Sequence, residues 1–207
     1  MKAPGVALRS ALALTVLVVS VALSLPPARR MIEQSMVWHM VVQMPLLLGA
    51  GWLLARTVSS ASTWRWTADW NRYGLTGLLA AQVILAYWML PSAIDRAVVS
   101  PQADMLKVMT LLACGALLQQ SFRRAPAVLQ LFVMGSAVPM TVWLGAYFAT
   151  TDRRLCNAYT LASQSEAGIG IAIWGLAVAA VWLAVALWQA AQPVSRGAPT
   201  TTNAGAD

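Results

Sequence analysis

The chain has 207 residues, of which 59% are hydrophobic and 10% are charged, and its mean hydropathy is +0.65. This composition excludes an ordinary soluble domain and indicates an integral membrane protein embedded in a lipid bilayer. The net charge of +7 does not indicate nucleic acid as a partner, because the basic residues occur singly or in pairs at the ends of apolar stretches and form no continuous face.

Apolar stretches close to the ~20 residues that cross a bilayer recur along the chain. They predict an all-α fold, a polytopic transmembrane bundle of about six helices in a single domain, residues 1–190. Residues 191–207 offer too little apolar surface to order and are predicted to form a disordered cytoplasmic tail. The predicted spans are residues 6–25, 35–55, 73–90, 104–122, 127–149 and 165–188.

Lys2 and Arg9 precede the first apolar stretch, a pattern that a cleaved secretory signal shares. We expect an uncleaved anchor, because the stretch is longer than a usual signal core and no clean Ala-x-Ala cleavage site stands just before Pro26. With the N-terminus in the cytoplasm, eight Lys and Arg residues lie in the inner segments and six in the outer ones. This bias favours a multi-pass protein of the inner (plasma) membrane with both termini cytoplasmic.

The second predicted span opens on a stripe of polar and sulfur-containing side chains that fall within roughly 140° of one another on a helix. Its members are Glu33, Met36, His39, Met40, Gln43 and Met44. His39 is the only histidine of the chain. Thioethers and an imidazole suit Cu(I), so the stripe predicts a copper site. The predicted ligands are Met36, His39, Met40 and Met44. Alternatively, methionines at this spacing only pack against a neighbouring helix.

In this topology, further polar and sulfur-containing side chains gather at the outer, periplasmic end of the bundle. Such groups are costly in lipid and usually face the bundle interior or a cavity. The possible accessory ligands are Gln43, Met105, Met109, Cys156, Gln164 and Glu166. Cys114 falls near the middle of a span, and we expect it to be a core residue without a disulfide to Cys156, because the two differ in depth. Glu33 and Asp104 have a simpler interpretation as helix-start carboxylates.

Two prolines interrupt predicted spans. Pro45 has no amide to donate to the carbonyl of Val41, and Pro139 has none for the carbonyl of Gly135, so we expect a kink at each. Small residues in two spans could allow close helix approach. These residues are Gly49, Ala50, Gly51, Gly168 and Gly170.

Two short segments resemble a known family. The stretch Trp38–Leu48 resembles the His-Met-x-x-His-Met-x-Leu segment of the CtaG-type assembly factors of haem-copper oxidases. Gln164–Gly168, followed by Trp174, is similar to the Gln-x-x-Ala-Gly opening of a late span in that family. His39 and Met40 match the first half of the family motif, and Gln43 stands where its second histidine would be.

The resemblance implies a protein that assists cytochrome c oxidase assembly by binding or delivering Cu(I) at the periplasmic face. Its partners would be haem-copper oxidase subunits or a copper chaperone, and the loss of the second histidine implies weaker copper binding. Two alternatives stay open: a metal-free membrane scaffold for an oxidase subunit, and a His/Met haem-binding protein. We predict no enzymatic activity, because the chain contains neither Gly-x-Ser-x-Gly nor His-Glu-x-x-His.

Overall fold

In the computed structural model, residues 4–57 and 69–191 are described, with side chains from residue 11 onward. Within those two ranges every regular element is a helix, which confirms the predicted all-α class. The helices are α1 (Pro4–Ala22), α2 (Pro26–Ile32), a π-helix (Trp38–Gln43) continuing into α3 (Met44–Thr57), α4 (Leu75–Trp88), α5 (Pro91–Val99), α6 (Pro101–Arg124), α7 (Ala127–Thr150) and α8 (Leu161–Ala191). The predicted tail begins one residue too early, since Ala191 ends α8. The rest of the predicted tail, residues 192–207, lies outside the described residues.

Four of the described helices are long and apolar enough to cross a membrane, and the number rises to six if each of two bent helix pairs forms one span. The bent pairs are α1 with α2, at 79°, and α4 with α5, at 70°. Leu25 and Leu90, the residues just before the second helix of each pair, have extended backbones, and each precedes a proline. A residue before proline is disfavoured in the α conformation, whereas proline itself suits the first turn of a helix.

The short helices α2 and α5 are absent from the prediction, which treats residues 91–103 as a loop. Contacts place both at one end of the bundle: Arg29 of α2 reaches the last turn of α5, and Asp95 of α5 binds the loop of residues 151–160. We call this end the network end. The bends of 79° and 70° turn α2 and α5 steeply away from the axes of α1 and α4.

Close backbone approach holds the long helices together. α3 packs between α1 and α6, α6 also packs on α4, and α7 pairs with α8, which touches the π-helix. A Cβ on Gly51 would overlap the carbonyl of Leu112, and one on Gly168 would meet the backbone of Gly145 on α7. A Cβ on Gly170 would meet the side chain of Val41 in the π-helix, so the predicted close approach is confirmed at Gly51, Gly168 and Gly170. Gly49 has open space beside it instead.

The contrast between Gly51 and Gly49 yields a direct test of this packing. Gly51→Ala is expected to lower the free energy of unfolding by about 1–3 kcal/mol, because the added methyl group forces α3 away from α6. The matched variant Gly49→Ala, two residues away in the same helix, should be neutral or stabilising by up to about 1 kcal/mol through helix propensity. Thermal unfolding of both purified variants in the same detergent checks the difference, and equal melting temperatures would contradict it.

Candidate functional site

The predicted stripe forms a π-helix rather than an α-helix. The backbone N–H of Met44 donates to the carbonyl of His39, five residues earlier. Segments of this kind are rare and often mark functional sites. The wider turn keeps His39 and Gln43, together with Met40 and Met44, on the buried side, while Trp38 is exposed.

Pro45 follows the π-helix and cannot donate to the Val41 carbonyl, as the sequence predicts. The indole Nε1–H of Trp174 donates to this carbonyl at 2.9 Å. A carbonyl left without a donor is costly inside a membrane, and the indole of Trp174 on α8 supplies one to this carbonyl of the π-helix. Trp174 therefore ties α8 to the π-helix.

His39 is fully buried and both of its ring nitrogens have partners. Its Nε2 lies 3.2 Å from the Nζ of Lys107, and its Nδ1 lies 2.9 Å from the Oη of Tyr159. An ammonium group only donates, so Nε2 accepts from Lys107 and the ring proton sits on Nδ1, which donates to the phenol oxygen. The hydrogen bonds thereby assign a neutral imidazole with no free nitrogen.

Lys107, also fully buried, connects His39 to a group of charges. Its Nζ lies 2.7 Å from Oδ1 of Asp104 and donates to Oε1 of Gln43 at 3.4 Å. The Nε of Arg29 lies 3.4 Å from Oδ2 of Asp104 and 2.7 Å from Oε1 of Glu33. Two cations thus face two carboxylates. A buried lysine is tolerated in such surroundings because its charge is balanced by close partners.

Arg29 also closes the end of α5. Its Nη2 donates to the carbonyls of Ala97 and Val98, at 2.8 and 3.0 Å, which the last turn of a helix leaves unpaired. Burial raises the pKa of Glu33 above its usual value, and the ion pair with Arg29 offsets part of that rise. One guanidinium group therefore links α2, α5 and α6.

Side chains from α5 and α8 hold the loop of residues 151–160, which brings Tyr159 to His39. The side chain of Gln164 accepts from the Leu155 amide at 2.8 Å and donates to the Arg153 carbonyl at 3.2 Å. The carboxylate of Asp95 accepts from two further loop amides, at 3.0 and 3.1 Å. Burial raises the pKa of Tyr159, so its phenol stays protonated at neutral pH. We call the connected set of side chains the polar network: Arg29, Glu33, His39, Gln43, Asp104, Lys107 and Tyr159.

The structure brings some predicted ligands together and separates others. Met36, Met40, Met44 and Cys156 share one buried apolar cluster with Tyr159. The predicted accessory positions Met105, Met109 and Glu166 point outward, and the two methionines are 68% and 62% exposed. Gln164 is buried, but its amide is committed to the 151–160 loop.

The two cysteines are free, as predicted, and both are buried. Cys114 is a core residue whose Sγ lies 3.6 Å from the carbonyl of Ala81. Cys156 lies in a loop, but its side chain is fully buried in the apolar cluster. Burial and the nearby Asp95 carboxylate raise the pKa of the Cys156 thiol to about 11.

This raised pKa predicts slow alkylation of Cys156. At pH 8 its thiolate fraction should be about 100-fold lower than that of a thiol titrating near pH 9. The test is iodoacetamide labelling of the Cys114→Ala variant from pH 7 to pH 11. In the folded protein the labelling rate should rise with a midpoint near pH 11, and after unfolding in SDS the midpoint should fall near pH 9. Between pH 9 and pH 11 the thiol ionises in the unfolded protein but stays protonated in the folded one. The free energy of unfolding should therefore decrease as the pH rises through this interval. A native labelling midpoint near pH 9 would contradict the prediction.

Five members of the polar network are missing from the predicted ligands: Arg29, Glu33, Asp104, Lys107 and Tyr159. The sequence places Lys107 among charges outside the membrane, whereas the structure buries it completely. A signal was available, because Asp104 and Lys107 are three residues apart at the start of an apolar helix, and Arg29 and Glu33 are four apart. Tyr159 had no comparable signal, since only the fold of the loop brings it to His39.

The arrangement does not fit a resident metal. The donor types suit Cu(I), but neither nitrogen of His39 is available without displacing Lys107 or Tyr159. In the part of the chain that the structure describes, no three His, Cys, Asp or Glu side chains form a group that could hold a metal ion. No protein-family model matches the chain, and no curated protein or solved structure matches it either.

Proposed function

We propose that the protein is a metal-free membrane scaffold that assists the assembly of a haem-copper oxidase subunit. The carrying observation is the state of His39, whose two nitrogens are bound by Lys107 and Tyr159. The imidazole connects the π-helix to α6 and to the loop of residues 151–160. Both of its nitrogens are engaged in hydrogen bonds, so neither is free to bind a metal. The oxidase as partner rests on the resemblance of Trp38–Leu48 and Gln164–Gly168 to CtaG-type factors. The inner membrane and the periplasmic face rest on the distribution of Lys and Arg along the chain.

A charge-balanced network suits a scaffold. Buried ion pairs add little net stability, but they penalise alternative arrangements in which one partner loses the other. Here the polar network connects α2, the π-helix, α6 and the loop of residues 151–160, and through Arg29 also α5. The network end would thus present one fixed surface to a subunit that is being assembled.

Co-purification of the oxidase catalytic subunit from host membranes tests the scaffold. In the Met36→Leu, Met40→Leu, Met44→Leu triple variant the thioethers are lost but the packing volume is kept. A scaffold should retain the subunit in this variant and lose it in Lys107→Met, where the network is broken. Loss of the subunit in the methionine variant, with the fold intact, would overturn the proposal.

Transient Cu(I) delivery is the second candidate. One observation favours it: Met36, Met40, Met44 and Cys156 lie in the same buried cluster, which also contains Tyr159, the hydrogen-bond partner of His39. Binding would require Tyr159 or Lys107 to leave the imidazole. Anaerobic Cu(I) competition titration of the wild type, of His39→Ala with Met40→Ala, and of Tyr159→Phe separates the two functions. A scaffold predicts equally weak binding by all three proteins, whereas delivery predicts loss in the double variant and tighter binding in Tyr159→Phe.

A further inference from the structure

Two arginines at the network end have exposed side chains that are not neutralised by the rest of the protein. Arg30 lies in the last turn of α2 and Arg96 in the last turn of α5. Neither side chain forms an ion pair or a hydrogen bond with any residue in the described ranges. The carboxylates nearest along the chain are bound elsewhere, Glu33 and Asp104 in the polar network and Asp95 by two loop amides.

α2 and α5 are tied together, so the two arginines lie on neighbouring helix ends. The guanidinium group of Arg29 on α2 donates to the carbonyls of Ala97 and Val98 on α5. Arg30 directly follows this donor, and Arg96 directly precedes the first acceptor. The end of the bundle therefore carries two unpaired positive charges on adjacent elements.

Each arginine stands beside an apolar side chain that protrudes from the protein. Met31 follows Arg30 and is 73% exposed, and Val99 is 83% exposed, the highest value among the large apolar side chains that the structure describes. Val99 lies three residues after Arg96, so both fall on the same side of α5. We call Arg30, Met31, Arg96 and Val99 the arginine surface. A cation beside a protruding apolar side chain is typical of the boundary between acyl chains and headgroups.

The start of α6 indicates where this surface lies relative to a bilayer. Val99 is two residues before Pro101, the first residue of α6, which is long and apolar enough to cross a membrane. With 24 residues α6 spans about 36 Å, more than the hydrocarbon core of about 30 Å, so its first turn reaches the interface. The arginine surface is therefore expected at the depth of the lipid phosphates.

We propose that the arginine surface binds anionic phospholipids, with Arg30 and Arg96 on headgroup phosphates and Met31 and Val99 between the acyl chains. A guanidinium group pairs with phosphate oxygens through two parallel hydrogen bonds. Lipids with a net negative charge are favoured over zwitterionic lipids, because the latter carry their own cation next to the phosphate. The binding groups lie outside the polar network, so the inference is independent of the proposed function.

Quenching by brominated lipids measures which phospholipid surrounds this surface. The purified full chain with Val99→Cys carries a fluorophore and is placed in nanodiscs of mixed phosphatidylcholine and phosphatidylglycerol. Cys114 and Cys156 are buried, and the protein without an added cysteine gives the labelling background. Bromine is carried by one lipid or by the other, with the same acyl chains. The affinity ratio from the two quenching curves should favour phosphatidylglycerol by up to about fivefold for each arginine.

Adding Arg30→Gln and Arg96→Gln should bring this ratio close to one. The matched control is Arg56→Gln with Arg72→Gln, two exposed arginines at the last turn of α3 and just before α4, and it should leave the ratio unchanged. In a neutral detergent without phosphate, the arginine surface has no ligand. The wild type and both double variants should therefore unfold at the same temperature there, which checks the fold.

The position of the fluorophore provides a further control. Val178→Cys, near the middle of α8 and 48% exposed, should report a ratio close to one. The proposal fails if Val178→Cys and Val99→Cys report equal ratios, or if the ratio at Val99→Cys survives the loss of Arg30 and Arg96. It also fails if neither lipid quenches at Val99→Cys, since protein would then cover the surface in place of lipid.

Discussion

Lys107→Met is expected to destabilise the protein by about 3–5 kcal/mol, the usual effect of removing one partner of a buried ion pair. The substitution keeps the length of the side chain but leaves Asp104 with only the more distant Arg29, 3.4 Å away. It also leaves Nε2 of His39 and the amide oxygen of Gln43 without a donor. Denaturation with SDS, or thermal unfolding in detergent, measures the loss.

A double variant tests whether the loss of stability comes from the unpaired charge of Asp104 or from altered packing. Replacing Lys107 with methionine and Asp104 with leucine removes one positive and one negative charge together, and Arg29 and Glu33 still balance each other. We expect this pair to recover most of the lost stability, because well-packed apolar residues often replace a buried ion pair at little cost. Arg96→Met, at an exposed position of α5, controls for the loss of a basic residue and should have almost no effect. If Lys107→Met were as stable as Arg96→Met, the polar network would have no structural role.

His39→Phe is expected to cost about 2–4 kcal/mol even when every solution contains a copper chelator. Phenylalanine fills the space of the imidazole but offers no nitrogen to Lys107 or Tyr159, so both polar groups remain buried without that partner. Thermal unfolding with and without the chelator checks this. For a scaffold, the effect is the same in both conditions. For a metal-dependent site, the wild type loses stability when the chelator is added and the variant does not.

Trp38→Phe is the matched control for His39→Phe. It lies one residue earlier in the π-helix, but its side chain is 57% exposed. Its effect on stability should be small, because the substitution leaves the buried face of the π-helix unchanged. Equal losses in the two variants would indicate that the π-helix, rather than the hydrogen bonds of His39, is sensitive to substitution.

Several features of the fold follow from local sequence alone. Long apolar stretches predict the helical class and the positions of the long helices, because the bilayer demands about 20 apolar residues with internally satisfied backbones. The prediction that Met36, Met40 and Met44 share a face is confirmed, since helical spacing is a local property. Pro45 has no amide to donate to Val41 whatever the fold, but the sequence does not identify Trp174 as the donor that this carbonyl receives.

Local sequence patterns were enough to predict an apolar, helical membrane protein with one stripe of polar and sulfur-containing side chains. The role of that stripe depends on the fold, because the partners of His39 are Lys107 and Tyr159, 68 and 120 residues away along the chain. Which side chains meet across helices depends on how closely the helices pack and where bends such as those before Pro26 and Pro91 direct the chain. A single histidine beside methionines suggests a soft metal ligand in isolation, and the ammonium and phenol groups delivered by the fold occupy both of its nitrogens.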